Sequence, residues 1–386
     1  MTADRHSRSG LIRADETHMQ AALEAAAAGH RGSNPLVGAV LALGDRELAV
    51  GHHRGAGSLH AERQALETFA ASQAVGEHAG TDLAEADLAD AVLYSTLEPC
   101  RHHGRQPPCT EAILESGVGR VVYGDTDPTR RAGGGGRLLA EAGVGVDSGV
   151  LEDRCRDLNH RWRRAQHEDR PFVTVHLAQT LDGRIAAADG TSMWITSPAS
   201  RRHTHMIRER IDAILVGTET VRVDDPRLTA RGPDGRPSDR QPLRCVMGLR
   251  GVPAAARLRQ DRPEGEGWRH LATRDPSEAL RMLAETDHRG RPVRHLLVEG
   301  GARVMGSFFA ADLVDEVFVY QAPLLLGAGP SSVGDLGVGT LDDAPRFRLD
   351  PAESGPVRLL DQDVCTHLAP TPESPSTPCD QTDRSD

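Results

Sequence analysis

The sequence contains no lysine, so all 45 residues counted as Lys plus Arg are arginines. Chemistry that needs a primary amine on a long side chain is excluded, and positive charge must come from arginine or histidine. Aromatic residues are also scarce, at 3% of 386 positions. The formal net charge is −11 and no basic patch dominates, which argues against a general nucleic-acid or membrane-surface binder.

Long apolar runs and a dense set of cysteines are absent as well. No apolar stretch approaches the ~20 residues that a membrane span requires, and the first 18 residues lack the apolar core of a secretory signal. Six cysteines in a chain of this length do not make a disulfide framework. We therefore expect a soluble cytoplasmic protein. A small-molecule substrate and a homo-oligomer are expected as its partners, although composition does not give the oligomeric state.

Strand-like and helix-like segments alternate along the chain, which is typical of an α/β protein. At 386 residues the chain is too long for one ordinary core, so two domains are expected. A polar helical segment that ends at Pro171 marks the junction, and VDEVFVYQAPLLLG is expected to close the strand pattern. The predicted divisions are a disordered start over 1–15, domains over 16–165 and 171–369, and a disordered tail over 370–386.

One close pair of cysteines, Cys100 and Cys109, stands in LEPCRHHGRQPPC. A catalytic zinc needs about three protein ligands and an open position for water. Upstream, the HAE segment opens a predicted helix, where His60 can ligate a metal while Glu62 reaches past it. Cys100 follows a predicted strand and Pro99, before the next helix, whose N-terminus favours a thiolate.

These residues fit most of the zinc-deaminase pattern H-x-E … P-C-x-x-C. The departure is the second cysteine, which comes after eight residues instead of two. Three alternatives therefore stay open: a structural four-ligand zinc site that recruits His102 or His103, a disulfide, and unrelated surface residues.

The second half has no G-x-G-x-x-G after a strand, so a Rossmann assignment would be weak. It has HLLVEGGARVMGSFF instead, which predicts a strand, a double-glycine turn and a helix start. Such a turn can present backbone N–H groups to a cofactor phosphate. Taken alone, a Gly-Gly pair before a helix is more often only a turn.

Several motifs in order resemble one known family over about residues 16–369. SNPLVGAV, HAERQAL and LEPCRHHGRQPPCTEAI resemble the deaminase domain of the bifunctional riboflavin-biosynthesis deaminase-reductase family, in which the longer cysteine spacing is normal. TLDGRIAAADGTSMWITS, VGTETVRVDDPRLTAR and VEGGARVMGSFF resemble its reductase domain. The resemblance implies an α/β chain with an N-terminal cytidine-deaminase-like three-layer domain and a C-terminal dihydrofolate-reductase-like domain.

The resemblance also implies the chemistry. The first domain would use Zn²⁺ for hydrolytic deamination of 2,5-diamino-6-ribosylamino-4(3H)-pyrimidinone 5′-phosphate, with ligands His60, Cys100 and Cys109 and with Glu62 moving protons. The second would use NADPH to reduce the ribosyl side chain to ribityl. Asn34 is a candidate for orienting the pyrimidine, or else a loop-capping residue. His102 and His103 would then belong to the pocket wall.

Reductase contacts are implied in two groups. Those to NADPH are Ala178, Trp194, Thr220, Asp224, Gly301, Ala302, Arg303, Val304, Met305, Gly306 and Ser307. Those to the substrate are Ser192, Arg208, Leu228, Arg231 and Glu299. Arg208 or Arg231 can donate two parallel hydrogen bonds to a ribose phosphate, and Glu299 can accept hydrogen bonds from sugar hydroxyls.

The chain departs from the family pattern at a few positions. His176 stands where the family usually has lysine, and Thr129 stands where it usually has asparagine. Histidine is shorter, with an ordinary pKa near ~6.5, so it could replace the charge in part, or mark a weakened or retargeted reductase. We expect reduction to persist. The rivals are a deaminase with a silent second domain and a zinc-stapled scaffold without catalysis.

Overall fold

A computed structural model of the chain describes residues 3–29, 34–55, 57–75, 87–104, 106–260, 264–288, 292–350 and 355–371. The chain divides into two compact units. The first comprises Met1–Phe172, Arg210–Asp212 and Gly290–His295, and the second Val173–Glu209, Ala213–Arg289 and Leu296–Asp386. Among the described residues, we find no helix with the length and apolar character that crossing a membrane would need.

The first unit is built on a five-stranded sheet in its described residues, with strand order β2-β1-β3-β4-β5. Its strands are β1 Gly38–Leu43, β2 Arg46–His52, β3 Val92–Leu97, β4 Arg120–Asp125 and β5 Gly145–Ser148. Its helices are α1 Ala3–Ala27, α2 Ala61–Ala74, α3 Cys109–Ser116, α4 Gly135–Glu141, α5 Glu152–Leu158 and α6 His160–His167. β1 runs antiparallel to β2 and β3, whereas β3, β4 and β5 are parallel.

Helices cover both faces of this sheet, because alternate residues of each strand point to opposite sides. In β1, Leu41 packs in a cluster with residues of α2, α3 and α4, such as Phe69 and Ile113. The next residue, Ala42, packs on the other side with Met19 of α1 and Cys155 of α5. The first unit therefore has three layers, as the resemblance implied.

Helix α1 starts earlier than the sequence predicted. It covers Ala3–Ala27, whereas residues 1–15 were expected to be disordered. The part from His18 onward includes the buried residues Met19, Ala22 and Ala26, which pack the helix on the sheet. Residues 3–15 contain no proline, so a helix fixed by this packing can extend back through them. Met1 and Thr2 lie outside the described residues.

The second unit is built on one large sheet. Its strands are β6 Phe172–Thr180, β7 Ala213–Gly217, β8 Leu243–Met247, β9 Trp268–Leu271, β10 His295–Gly300, β11 Glu316–Ala322, β12 Phe347–Leu349, β13 Val357–Leu360 and β14 Asp363–Pro370. Its helices are α7 Pro198–Glu209, α8 Thr218–Asp224, α9 Pro276–Ala284 and α10 Ala302–Ala310. Among the described residues the order is β12-β14-β11-β6-β10-β7-β8-β9, with β13 paired to β14.

Parallel pairing dominates one side of this sheet. β10, β7, β8 and β9 are successive parallel neighbours, and every residue of β7 and of β8 is buried. Continuous apolar runs such as AILVG are typical of parallel strands that are covered on both faces. Ligands bind beyond the carboxyl ends of such strands, so this edge is where a cofactor pocket is expected.

The expectation that 314–327 closes the strand pattern was wrong. In the described part of the chain, three further strands follow, and β14 inserts between β11 and β12 in antiparallel pairing. β14 alternates buried and half-buried residues rather than forming an apolar run, which made it inconspicuous. Its last residue is Pro370, within the predicted tail, and residues 372–386 lie outside the described residues.

Candidate metal centre and nucleotide pocket

Three side chains from separate elements meet in the first unit. Nδ1 of His60 lies 3.2 Å from Sγ of Cys109 and 3.5 Å from Sγ of Cys100. The two sulfur atoms are 3.5 Å apart, and both thiols are free. Three ligands of a tetrahedral zinc, at their usual bond lengths, lie about 3.5–3.8 Å from one another. The cluster therefore fits zinc, whereas the described thiols do not form a disulfide.

Backbone geometry positions each ligand. His60 is the N-cap residue of α2, and Cys109 is the first residue of α3. Cys100 lies in the loop after β3, where it accepts a 3.4 Å hydrogen bond from the backbone N–H of Cys109. The thiol–thiol hydrogen bond with Cys109, and then the one with His60, lower the pKa of Cys100 to about 4. A thiolate at this helix N-terminus, as the sequence indicated, is the form that ligates metal.

The four-ligand alternative does not form in the described residues, where the metal-binding group here consists of His60, Cys100 and Cys109. His102 lines the adjoining cavity, as predicted. His103 does not belong to the pocket wall, which corrects the prediction. Its side chain is 73% exposed and its Nε2 lies 3.1 Å from a carboxylate oxygen of Glu111 on α3. The turn after Cys100 directs the two neighbouring imidazoles to different sides.

Glu62 lies two residues beyond His60 and is only 3% exposed. Burial raises the pKa of its carboxyl, and the Cys100 charge raises it further. Glu62 also makes a hydrogen bond with Cys109 and lines the cavity beside the ligands. A carboxyl with a raised pKa next to a metal site is suited to accept and return a proton.

A cavity of about 450 Å³ opens in front of the metal ligands. Asn34 lines it, and its Nδ2 lies 2.9 Å from Nε2 of His53, another lining residue. The asparagine therefore faces the cavity instead of capping its own loop. Sequence reasoning missed His53, although it lies in the ELAVGHH segment that the sequence identified as strand. The size suits a small heterocyclic substrate.

The glycine run 133–136 packs against the loop that carries Cys100. The backbone N–H groups of Gly134 and Gly136 each donate a 3.0 Å hydrogen bond to the carboxylate of Glu98. They therefore hold a protein side chain rather than a ligand. Thr129 lines the cavity and hydrogen-bonds Asp127 through both its backbone N–H and its hydroxyl.

We expect the Gly135→Ala variant to bind zinc at least about 10-fold more weakly, as observed for changes in residues that support metal ligands. A Cβ at Gly135 would lie 1.8 Å from the carbonyl oxygen of Pro99, which directly precedes Cys100. Relieving that clash must move α4 or the ligand. Competition with a chromophoric chelator measures the affinity. Gly145→Ala is the matched control, since its nearest neighbour would be 3.4 Å away; equal affinities in both variants would contradict the prediction.

The second unit contains a cavity of about 930 Å³ at the carboxyl ends of β7 and β8 and beside the start of α10. Glycines at 217, 248 and 301 line it, so backbone can approach a ligand closely. Its volume lies in the range of cofactor sites. The predicted contacts that line it are Ser192, Thr220, Asp224, Gly301, Ala302, Arg303, Val304 and Ser307.

Four predicted NADPH contacts do not line this cavity in the described residues. Met305 and Gly306 are buried on the inner side of α10, because adjacent residues of a helix point in different directions. Ala178 lies on β6. Trp194 is largely exposed, and the guanidinium of Arg201 stacks on one face of its ring, 4.5 Å from the ring centroid. Sequence reasoning missed the lining residues after β8 and β9, including Arg250 and Arg274.

The predicted substrate residues outside the cavity form a separate group. Arg208 and Glu299 make a two-pronged ion pair, in which Nε of the arginine lies 2.7 Å from the carboxylate. Burial alone would raise the pKa of Glu299, but the charge and hydrogen bonds of Arg208 outweigh it and lower that pKa. Arg231 donates to the carbonyl of Gly235, at 2.9 Å, and Leu228 is buried.

Two histidines lie within this group. Burial lowers the pKa of His205, and the charges of Arg208 and Arg231 lower it further while Glu299 opposes them. Burial also lowers the pKa of His176 to about 4. Its Nε2 hydrogen-bonds Thr204, at 2.9 Å. The shift favours the uncharged imidazole, and that His176 replaces part of a lysine charge stays a prediction.

The fold and the metal centre together define a two-part enzyme, a zinc deaminase followed by a reductase. A family model described as the cytidine and deoxycytidylate deaminase zinc-binding region matches residues 12–125. Another, described as the RibD C-terminal domain, matches residues 171–359.

Whole-chain comparisons give the same result. Riboflavin biosynthesis protein RibD from Mycobacterium tuberculosis is 41% identical over 330 residues, which cover 84% of this chain and 90% of the relative. The protein of that name from Aquifex aeolicus is 36% identical over 363 residues, covering 88% and 95%. The crystal structure of a diaminohydroxyphosphoribosylaminopyrimidine deaminase/5-amino-6-(5-phosphoribosylamino)uracil reductase from Thermotoga maritima superposes with a TM-score of 0.78 at 31% identity, covering 93% and 99%. The chain belongs to the RibD family of riboflavin biosynthesis proteins, with a cytidine-deaminase-like first domain and a dihydrofolate-reductase-like second domain.

Proposed function

We propose that this chain catalyses two consecutive steps of riboflavin biosynthesis. The first is hydrolytic deamination of 2,5-diamino-6-ribosylamino-4(3H)-pyrimidinone 5′-phosphate, and the second is NADPH reduction of the ribosyl side chain to ribityl. The observation that carries the proposal is the convergence of His60, Cys100 and Cys109 beside a buried Glu62. As a member of this family, the chain uses Zn²⁺ and NADPH as cofactors. We assign the steps to domains at 16–165 and 171–369.

In the deaminase, the residues divide the work between binding and proton transfer. His60, Cys100 and Cys109 would hold the zinc, which would supply a water of lowered pKa. Glu62 accepts a proton from the attacking water and donates one to the amino group that leaves as ammonia. Asn34, positioned by His53, orients the pyrimidine edge through its amide.

In the reductase, the cofactor carries the hydride, and the protein binds and orients. At the start of α10, the backbone N–H groups of Ala302 and Arg303 would face the cofactor diphosphate, and Thr220 and Asp224 line the same cavity. Thr220 Oγ1 accepts a 3.1 Å hydrogen bond from the backbone N–H of Gly301, which fixes the turn. The Arg208–Glu299 pair contacts the sugar hydroxyls, and Arg231 contacts the 5′-phosphate.

Zinc removal separates the two activities and tests the proposal. We expect protein stripped with dipicolinate to release no ammonia from the diamino substrate, because Glu62 then lacks an activated water. The same protein should still oxidise NADPH at an unchanged rate with authentic deaminated substrate. Ammonia release and absorbance at 340 nm are the two readouts. Restored deamination on adding one Zn²⁺ per chain is the control, and ammonia release by fully stripped protein would contradict the assignment.

A second candidate function is a deaminase with a silent second domain. The lowered pKa of the half-buried His176 is the observation that favours it, since the usual lysine would supply a permanent cation. The Arg208 guanidinium beside Glu299 is the feature that supports an active reductase. Deamination without any NADPH oxidation on the authentic deaminated substrate would establish the silent domain and overturn the second step.

Two further properties belong to the proposal. We place the protein in the cytoplasm, which is supported by five free cysteines among the described residues, two of them the thiols of the metal centre. That the chain forms a homo-oligomer stays a prediction, which sedimentation velocity checks.

A further inference from the structure

We propose that Arg274 binds the 2′-phosphate of NADPH and thereby makes this reductase select NADPH over NADH. The inference rests on the proposed reductase function. It concerns a residue that the resemblance does not assign, in the turn between β9 and α9. Arg274 lines the 930 Å³ cavity of the second unit together with residues of four neighbouring strand ends.

The order of the strands gives the direction of the nucleotide. Residues from the two sides of the cavity are Ile185, Ala186 and Ser192, which follow β6, and Thr273 and Arg274, which follow β9. β6 and β10 carry His176 and Glu299, the group proposed to hold the substrate, so the nicotinamide end belongs there. β9 is three strands from β10, about 14 Å across the sheet. The adenosine end, with its 2′-phosphate, therefore reaches the ends of β8 and β9.

Three arginines line the cavity, and their surroundings differ. Arg303 is the second residue of α10, so it lies where the diphosphate is expected. Arg250 follows β8, but its guanidinium is 2.6 Å from a carboxylate oxygen of Glu219 and is already paired. Arg274 follows β9 and has no hydrogen bond or ion pair of its side chain among the described residues. Of the two arginines at the adenosine end, Arg274 is therefore the one whose guanidinium is unpaired among the described residues.

Hydrogen bonds of the neighbouring residues fix the turn in which Arg274 lies. The buried Thr273 donates its hydroxyl to Glu278, at 2.6 Å, and accepts from the backbone N–H of Asp275, at 3.0 Å. Asp275 is the N-cap of α9 and accepts from the backbone N–H of Ser277. Both nearby carboxylates are thus engaged in their own turn. The exposed guanidinium of Arg274 can fork onto a phosphate dianion.

A binding experiment isolates the 2′-phosphate from turnover. Calorimetric titration compares 2′,5′-ADP with 5′-AMP, which differ by that phosphate, on the wild-type holoenzyme and on Arg274→Ala. We expect the variant to bind 2′,5′-ADP about 10- to 100-fold more weakly, with 5′-AMP changed less than about twofold, since one charge-assisted contact is lost. In steady-state assays, the ratio of kcat/KM for NADPH to that for NADH should fall by a similar factor.

Two further variants complete the test. Arg281→Ala removes an exposed arginine of α9 that pairs with Glu285, and it should leave both affinities unchanged. Arg303→Ala should weaken NADPH and NADH equally, because both carry the diphosphate. Equal losses for 2′,5′-ADP and 5′-AMP in Arg274→Ala, or unchanged affinity for 2′,5′-ADP, would overturn the assignment. Wild-type protein that binds neither dinucleotide would overturn the proposed reductase and this inference with it.

Discussion

Replacing Glu62 by glutamine is expected to lower the deaminase kcat by about 10²- to 10⁴-fold while zinc remains bound. Glutamine has nearly the same shape, but it cannot accept a proton from water or return one to the leaving amine. Glu62 is buried beside the ligands and is not one of them, since the metal-binding cluster is made by His60, Cys100 and Cys109. The chemistry should therefore fail with the metal centre intact.

The measurements for this variant are ammonia release, zinc per chain by mass spectrometry, and NADPH oxidation with the deaminated substrate. Only the first should change. Glu67→Gln is the matched control, because Glu67 lies on the same helix, is 53% exposed and pairs only weakly with Arg63, at 3.7 Å. A variant that loses zinc would make Glu62 a structural residue, and a variant that deaminates at the wild-type rate would contradict its role in proton transfer.

The metal centre was predictable from sequence because its chemistry is carried by short motifs at element ends. His60 starts α2 and Cys109 starts α3, while Cys100 follows β3 by three residues. Such positions are recognisable from local pattern, and parallel strands bring their carboxyl ends to one edge. The side on which a loop residue points is not encoded locally, which explains the wrong placement of His103.

The reductase site was less predictable, because its interactions are long-range. Arg208 and Glu299 are 91 residues apart, and the sequence assigned each to the substrate without pairing them with one another. The low pKa of His176 depends on burial that only the folded sheet creates. One sequence feature could have located Arg274. The Asp275-Pro276 dipeptide is typical of a helix start, so it predicts that Arg274 lies in the turn between a strand and that helix.

Removing the positive partner of the buried pair should strongly destabilise the second unit. We expect Arg208→Met to lower the free energy of unfolding by about 3–5 kcal/mol at pH 7, because it leaves an uncompensated carboxylate at Glu299. The two side chains are only 17% and 8% exposed, so water cannot replace the lost contacts. Reductase activity should fall with the pair, while ammonia release in the first unit is retained.

The double variant Arg208→Met/Glu299→Met should recover much of this loss, since it removes both charges. Unfolding in urea can be followed by tryptophan fluorescence in a Trp162→Phe background, which leaves Trp194 and Trp268 as reporters of the second unit. Equal stability of the single and double variants would mean that the pair contributes through packing rather than charge.

The pH dependence of the unfolding free energy tests whether Glu299 carries an unpaired charge in Arg208→Met. In the wild type the pKa of Glu299 is lowered, so the stability from this carboxylate is present above its unfolded pKa and is lost as pH falls through the folded value. In Arg208→Met, the arginine no longer offsets the effect of burial on Glu299. The pKa of Glu299 in the folded variant should therefore lie above its pKa in the unfolded chain. The variant's deficit should then be largest at neutral pH and shrink as the carboxyl is protonated on acidification. We therefore expect the difference in unfolding free energy between the wild type and the variant to decrease from pH 7 to pH 5, and a difference that grows over this range would contradict an unpaired charge at Glu299.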